Sequence, residues 1–269
     1  MGLSRLFILR STKAQYRNYD NTFCCEVSNR ALLLQTCETM KAEYLIFNVV
    51  VLIGPLALSF EPTIRFIKQW KAIVGAIVLS MIPYIIWDSA VANRHWFWNV
   101  HYTLGPRFLR LPLEEWLFFV TVPYACLFSR EVLRKYLPNS TKRELEWVRV
   151  GCFALLPLGL LIFRTGREYT GLMLMALGAV ALLDRQLKTD LFLQTRSYWY
   201  FALVIVCTFI FNMYLTARPV LIYDESYQLD FRVITIPIED FGYGLGHLIL
   251  SAICYDWLNL RAGKPDALP

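Results

Sequence analysis

The chain has 269 residues, of which 57% are hydrophobic and 15% aromatic, and its mean hydropathy is +0.42. This composition is too apolar for an ordinary soluble domain and indicates a multi-spanning membrane protein. The net charge of +6 does not indicate nucleic acid, because Lys and Arg fall in short clusters between apolar runs. Seven scattered cysteines without a C-x-x-C pair indicate neither a disulfide framework nor a metal site.

Seven apolar windows along the chain have the length of membrane spans, although the shortness of the fourth and fifth leaves six spans as an alternative. The windows cover residues 43–60, 72–91, 112–129, 150–163, 168–184, 198–216 and 236–258. The connections between them are short and carry no second polar domain. We therefore predict an all-α integral membrane domain over residues 40–269 with about seven transmembrane helices.

Residues 1–39 differ from the rest because they are polar and lack the apolar core of a secretory signal. Without this tail, the loops on the C-terminal side carry 14 Lys and Arg residues and the opposite loops carry 8. The tail would raise the second number to 13 and erase the bias. The positive-inside rule therefore favours a cytoplasmic C-terminus and interprets residues 1–39 as an over-extended start or a targeting segment.

The sequence repeats itself at an offset of 125 residues, which predicts a duplicated architecture. This offset aligns LPLEEWLFF (111–119) with IPIEDFGYG (236–244), Glu43-Tyr44 with Glu168-Tyr169, and Trp98 with Tyr223. One gap brings Trp87-Asp88 near Phe211-Asn212. Because the offset equals four spans, we predict parallel three-helix repeats at 43–130 and 168–258, joined by a connecting helix at 147–163. Both acidic motifs then lie at one membrane face, opposite the cytoplasm.

The acidic pairs Glu114–Glu115 and Glu239–Asp240 each stand beside a proline where an apolar helix begins. A single motif of this kind is explained as a helix cap, since carboxylates there complement the helix dipole. Recurrence in register, the aromatic residues that follow and the position at the edge of a span favour a catalytic role. A carboxylic acid kept neutral by an apolar site donates protons, and aromatic faces stabilise cations. This combination suits the protonation of an alkene dissolved in the bilayer.

Other polar and aromatic residues near the motifs are interpreted less specifically. Helical spacing places an aromatic residue one turn after three of the carboxylates: Phe118 after Glu114, Phe119 after Glu115, and Tyr243 after Glu239. An interfacial aromatic belt is an equal explanation for Trp96, Trp98 and Tyr102. His247, inside the last span, is interpreted as a hydrogen-bonding partner in helix packing rather than a proton relay.

With these motifs the sequence resembles the small, flavin-independent lycopene cyclases of carotenoid synthesis. The matching motifs are PLEE at 112–115, PIED at 237–240, their flanks WLFF and FGYG, and WD at 87–88. The match covers roughly residues 43–258, in the fused two-half form of the family and without a synthase domain.

The resemblance implies a redox-neutral isomerase that converts lycopene to γ-carotene and β-carotene by carbocation cyclisation, forming β-ionone end groups. It implies no cofactor and no metal, and a substrate taken from the lipid bilayer. By position it assigns acid–base catalysis to Glu114, Glu115, Glu239 and Asp240, with Asp88 orienting or relaying protons. Substrate binding and cation stabilisation fall to Trp87, Trp98, Trp116, Phe118, Phe119, Asn212, Phe241 and Tyr243. Because Asp88 aligns with Asn212, one composite site between the halves is preferred over two.

Two other classes of function stay open. A carotenoid hydratase would use similar cation chemistry, and small sugar carriers share the three-plus-one-plus-three arrangement. The paired prolines of those carriers are half present here, as Pro55 and Pro83 of the first repeat. For all three classes we expect a multi-pass protein of a bacterial or archaeal cytoplasmic membrane. Association with other enzymes of carotenoid synthesis is a further expectation.

Overall fold

The computed structural model describes residues 41–263. The tail at 1–39, with its predicted start or targeting role, lies outside the described residues. Within 41–263 the chain forms eight α-helices, two of which follow each other closely enough to make one span. They are α1 (Glu43–Leu58), α2 (Trp70–Val91), α3 (Leu113–Tyr136), α4 (Glu146–Phe153), α5 (Leu155–Arg164), α6 (Glu168–Leu187), α7 (Thr195–Ala217) and α8 (Ile238–Arg261).

The helices have the length and surface of membrane spans. Five helical stretches are long and apolar enough to cross a bilayer: Phe66–Val91, Leu113–Tyr136, Arg143–Arg164, Glu168–Leu187 and Thr195–Ala217. Of the other two, α1 is apolar but has 16 residues, and α8 has 24 residues with several buried ionisable side chains. Large apolar side chains such as Ile53 and Ile86 lie on the outer surface. A surface of this kind is typical of lipid-facing helices and indicates a membrane protein.

The two predicted repeats are visible as two sets of three helices, α1–α3 and α6–α8, with α4 and α5 between them. Each set carries a short strand after its second helix and a small hairpin before its third. The strands are β1 (Trp96–Trp98), β2 (Arg107–Phe108), β3 (Leu111–Pro112), β4 (Leu221–Tyr223), β5 (Arg232–Val233) and β6 (Ile236–Pro237). β2 pairs with β3 and β5 with β6, while β1 and β4 pair antiparallel across the halves. The halves are thus joined at the end of the bundle that carries both acidic pairs.

The connecting span is broken, whereas the sequence predicts one helix there. It consists of α4 and α5, which are separated at Ala154. Pro157 has no N–H group for the carbonyl oxygen of Phe153, so the regular hydrogen-bond ladder cannot pass this point. The break could not be predicted from the apolar window, because the hydropathy of a segment does not change when one backbone hydrogen bond is lost.

Helix packing makes the halves unequal. Within each half the first helix packs against the third, α1 on α3 and α6 on α8. Between the halves, α2 packs closely along α8, but the equivalent pair α7 and α3 makes far fewer contacts. The space that remains between α3 and α7 is the place where the halves enclose a cavity.

Buried ion pairs fix the helices at the end opposite the acidic pairs. The Arg130 guanidinium on α3 donates to both carboxylate oxygens of Asp256 on α8, at 2.8 and 2.5 Å. Arg149 on α4 donates to Asp184 on α6 at 3.2 Å and to Asp190 at 2.7 Å. Each buried guanidinium therefore has carboxylate partners, which buried charge requires, and each pair specifies which helices meet.

Candidate active site

Both acidic pairs lie in the first turn of a third helix, directly after a proline at its N-cap. Pro112 precedes α3 and Pro237 precedes α8, as the alignment of the repeats predicts. All four carboxylates are buried: Glu114 is 0%, Glu115 6%, Glu239 0% and Asp240 3% exposed. Buried carboxylates need hydrogen-bond donors, so their partners define the site.

Glu115 is held by one aromatic donor from α1 and one from β1. The Tyr44 hydroxyl donates to its Oε2 atom at 2.8 Å, and the Trp98 indole N–H donates to the same atom at 2.7 Å. Both donors are themselves buried. The carboxylate is thereby positioned in an aromatic environment on the inner side of α3.

Asp240 has the equivalent arrangement in the second repeat, with one donor more. The Tyr169 hydroxyl donates to Oδ1 at 2.6 Å, and the Tyr223 hydroxyl donates to Oδ2 at 2.7 Å. The third donor is the Asn212 amide, which lies 2.6 Å from Oδ2. Tyr169 and Tyr223 occupy the positions of Tyr44 and Trp98 at the repeat offset. Three donors to one carboxylate favour its ionised form.

The first member of each acidic pair has different surroundings. Glu114 accepts the backbone N–H of Leu104 at 2.6 Å, and Glu239 accepts that of Leu229 at 2.7 Å. Glu239 also accepts the Thr170 hydroxyl at 2.6 Å. These carboxylates fasten the loop before the hairpin to the start of the third helix.

Asp88 approaches the second half from α2. It is 2% exposed, and its Oδ1 atom accepts the hydroxyl of Tyr243 on α8 at 2.7 Å. Among residues 41–263 Asp88 accepts this one side-chain hydrogen bond, in contrast to the two at Glu115 and the three at Asp240. Asp88 is therefore less stabilised as an anion than either of the other carboxylates.

One cavity brings these carboxylates together. It has a volume of about 380 Å³, and Asp88, Glu115 and Asp240 all line it. Glu114 and Glu239 are not among its lining residues. The rest of the wall is mostly apolar or aromatic and comes mainly from α1, α3, α7 and α8, with contributions from α6, β1 and β4. An apolar space with three carboxylates at one end is suited to a long hydrocarbon that reacts at its tip.

The other predicted site residues divide into three groups. Phe118, Asn212 and Tyr243 line the cavity. Trp98, Trp87 and Phe119 lie behind the lining: Trp98 on Glu115, Trp87 against Tyr243 and Phe119 against His247. Trp116 and Phe241 lie away from the cavity lining, and Trp116 packs on Phe108. The first two groups therefore belong to the cavity or its immediate support, and the third group, Trp116 and Phe241, does not.

The sequence analysis assigned no site role to four residues of the site: Tyr44, Trp96, Tyr169 and Tyr223. All four line the cavity, and three of them donate to a carboxylate. The repeat alignment contained a signal for three of them, since it matched Tyr44 with Tyr169 and Trp98 with Tyr223. For Trp96 the sequence left the role open, because an interfacial aromatic belt explained this residue equally well.

Two ion pairs link the halves near the acidic pairs. Glu43 accepts two hydrogen bonds from Arg218 at 2.8 and 2.9 Å, and Glu168 accepts two from Arg94 at 3.3 and 2.5 Å. In each case a carboxylate at the start of one repeat binds an arginine of the other. His95 lies 3.1 Å from Glu168, and burial lowers the pKa of this histidine. These contacts tie the loops together over the site.

No group of three or more His, Cys, Asp or Glu side chains within 41–263 has an arrangement that could hold a metal ion. The glycine-rich segment GYGLGH is part of α8 and not a strand-to-helix turn. These glycines instead permit close helix packing. A Cβ atom at Gly242 would lie 2.2 Å from the Met173 sulfur, and one at Gly246 would lie 2.8 Å from the Tyr84 hydroxyl oxygen.

The fold and the site define a multi-spanning membrane protein of two parallel repeats with an internal cluster of carboxylates. The sequence profile of the lycopene cyclase family matches residues 41–133 and again residues 166–258. The two matches begin 125 residues apart, which is the offset between the acidic motifs. The chain belongs to the lycopene cyclase family. Both the resemblance and the duplicated architecture predicted from the sequence are confirmed.

One curated relative supports the same family. The bifunctional lycopene cyclase/phytoene synthase of Leptosphaeria maculans is 30% identical to this chain over 100 residues. The aligned part covers 36% of this chain and 17% of the relative, so the chain matches a small part of that longer protein. No solved structure matches the chain.

Proposed function

We propose that this protein is a lycopene cyclase that converts lycopene through γ-carotene to β-carotene by redox-neutral cyclisation. The observation that carries the proposal is the cavity, in which Asp88, Glu115 and Asp240 meet aromatic and apolar walls. Family membership supports a carotenoid substrate, and the duplicated donors around Glu115 and Asp240 support a site shared by both halves.

Asp88 is the proposed acid. Its proton is transferred to the terminal carbon–carbon double bond of an acyclic end group, which leaves a tertiary carbocation. The neighbouring double bond attacks this cation and closes a six-membered ring. Asp88 suits the role because three buried carboxylates close together cannot all ionise, and Asp88 has fewer donors than the other two.

Glu115 and Asp240 are the proposed anionic groups. Their two and three donors stabilise carboxylate ions, which balance the charge of a carbocation in the cavity. One of them removes the ring proton and leaves the β-ring double bond. One proton is added and one is removed, so the reaction is balanced without a redox partner.

Aromatic faces complete the proposed stabilisation of the cation. Phe118, Trp96 and Tyr243 line the cavity and place aromatic rings in its wall. Such faces stabilise a cation by roughly 2 kcal/mol or more when water is excluded. Glu114 and Glu239 are assigned a positioning role, since they hold the loops that carry Leu104 and Leu229.

The cavity also supports entrance of the substrate from the side. Val50 on α1 and Phe211 on α7 line the cavity and are also 61% and 37% exposed on the outer surface. The cavity therefore opens between α1 and α7, where lipid would contact the protein. Its volume is near the lower end of the ~300–1,000 Å³ range of ligand pockets. This size suits one end group and part of the chain, so the two ends of lycopene would react in turn.

The proposal extends to topology and surroundings. The excess of Lys and Arg in the loops on the C-terminal side supports a cytoplasmic C-terminus, with the carboxylates near the opposite face. A bacterial or archaeal cytoplasmic membrane suits this arrangement. Enzymes that supply acyclic carotenoids in the same membrane are the proposed neighbours.

The test is expression of the full chain in a bacterial host that accumulates lycopene, followed by chromatography of the pigments. We expect carotenes with one and with two rings. Glu115→Gln, produced at the same level in the membrane, is the matched control and should leave lycopene unchanged. Hydroxylated products from the wild-type chain would indicate a hydratase, and unchanged lycopene would contradict the proposal.

A further inference from the structure

Helix α8 carries a row of polar residues that runs from the cavity to the other end of the bundle. The row has one member every four residues: Tyr243, His247, Ser251, Tyr255 and Asn259. The last four are buried, with exposures of 2% or less, although α8 lies in the membrane domain. Polar side chains are rare inside membrane helices and mark pathways for ions or protons.

Four atoms of this row have no hydrogen-bond partner among residues 41–263. They are His247 Nε2, Ser251 Oγ, Tyr255 Oη and Asn259 Oδ1. A buried polar atom that is left unsatisfied destabilises the fold, and four on consecutive turns would destabilise it several times as much. Buried polar atoms that lack protein partners are normally bound by ordered water. The row therefore provides a series of water-binding sites along the helix.

The spacing of the row fits this interpretation. Residues four apart in a helix are separated by about 6 Å along the axis, at about 1.5 Å per residue. A water molecule that bonds two side chains spans nearly the same distance, since each hydrogen bond is about 2.8 Å long. From Tyr243 to Asn259 the row rises about 24 Å, which is most of a hydrocarbon core of about 30 Å.

The first member of the row, Tyr243, contacts the proposed acid, Asp88. The Tyr243 hydroxyl donates directly to Asp88 at 2.7 Å. Tyr84 of α2 lies between the first two members, with its ring centroid 4.9 Å from that of Tyr243 and 4.6 Å from that of His247. Its buried hydroxyl also has no partner among the described residues. The Tyr84 hydroxyl thus lies beside the space between Tyr243 and His247.

The equivalent helix of the first repeat lacks the first three members of this row, and its last two positions hold Arg130 and Arg134. At the repeat offset, the first three members correspond to Phe118, Val122 and Cys126 of α3. All three line the substrate cavity. The duplicated helices have therefore diverged: at these positions α3 presents apolar side chains to the cavity, whereas α8 presents Tyr243 and His247 to it and continues with the buried Ser251.

We propose that the polar row of α8 is a water-bridged proton relay that reloads Asp88 from the C-terminal end of the helix. The proposal rests on the acid role given to Asp88 under the proposed function. After Asp88 has protonated the substrate, the Tyr243 hydroxyl gives it a proton and takes one from the next water. His247, Ser251 and Tyr255 repeat this step through the waters between them, while the Asn259 amide oxygen orients the first water. One proton thus enters at the Asn259 end for each proton that Asp88 donates, and the proton that Glu115 or Asp240 removes from the ring is released toward the membrane face where the acidic pairs lie.

The test compares first and later turnovers of the purified full chain in liposomes that contain lycopene. Tyr255→Phe and Ser251→Ala each remove one hydroxyl from the row, on different turns. Both should form about one ring per enzyme at the wild-type rate, and later turnovers should then slow by about tenfold or more. A membrane-permeant weak acid should restore the later turnovers, because it delivers protons without the row.

Tyr200→Phe is the matched control. Tyr200 is a buried tyrosine of α7 whose hydroxyl donates to the Leu248 carbonyl oxygen, so it lies outside the row. Its steady turnover should stay within about twofold of wild type, without a burst. In the row variants the amplitude of the burst measures the amount of folded enzyme. If Tyr255→Phe does not fold, Ser251→Ala alone provides the test.

The two possible failures are distinguishable. If the wild-type chain forms no rings, the proposed function is wrong. If it forms rings and both row variants turn over like Tyr200→Phe, the relay is refuted while the cyclase function stands. A slow first turnover in both row variants would also refute the relay, since it would indicate a structural defect in the site.

Discussion

Replacing Glu115 by Gln should stop cyclisation, while the same replacement at Glu114 should preserve most of it. The two residues are neighbours in the first turn of α3 and both are buried. They differ in their surroundings, because Glu115 lines the cavity and Glu114 accepts the Leu104 N–H. The pair of variants therefore separates proton transfer from the structural effect of a lost charge.

The expected magnitudes follow from these contacts. Gln at position 115 keeps an acceptor oxygen for Tyr44 and Trp98, but it neither carries the anionic charge nor exchanges a proton. Loss of a general acid or base lowers rates about 10²–10⁴-fold, which equals about 3–5 kcal/mol of activation free energy. At position 114 a neutral hydrogen bond replaces a charge-assisted one, which costs about 1 kcal/mol of unfolding free energy. Turnover of Glu114→Gln should then stay within about threefold of wild type.

The assay is the initial rate of ring formation in lycopene-loaded liposomes, divided by the amount of folded protein. Thermal unfolding in detergent gives the stability of both variants. Near-normal turnover of Glu115→Gln would remove this residue from the mechanism. Equal inactivity of Glu114→Gln, at equal stability, would show that the first member of each acidic pair takes part in the chemistry.

Three further changes test the site and the fold. Asp88→Asn should lower turnover by about 10²-fold or more, and an active variant at normal protein levels would exclude Asp88 as the acid. Arg130→Met should destabilise the protein by about 3–5 kcal/mol, because the buried Asp256 would lose the guanidinium that donates to both its oxygens and keep only Arg134 at 3.6 Å; an unchanged melting temperature would contradict this. Gly171→Ala should cost about 1–3 kcal/mol in the same melting assay, since its Cβ would lie 2.7 Å from the Gly159 carbonyl oxygen. Wild-type stability would then show that α5 can move away from α6.

Much of the fold could be predicted from the sequence because membrane spans and repeats leave local signals. An apolar run of sufficient length must cross the bilayer as a helix, since lipid offers no partners for the backbone. Self-alignment revealed the duplication without knowledge of any contact. The break at Ala154 was not predicted, because one proline within an apolar window does not determine whether a helix bends or stops.

The sequence alone shows that carboxylates recur at the start of two equivalent spans and that aromatic residues follow them. It did not determine which carboxylate of each pair faces the cavity, because neighbouring helical residues point about 100° apart. That choice is made by tertiary contacts: Tyr44 bonds Glu115 and Tyr169 bonds Asp240, each across 71 residues of sequence. The position of the cavity is equally a product of packing, since α2 closes against α8 while α7 stands away from α3. Local sequence specifies the helices and their charged ends, but the rotation of each helix is fixed only when its neighbours are in place.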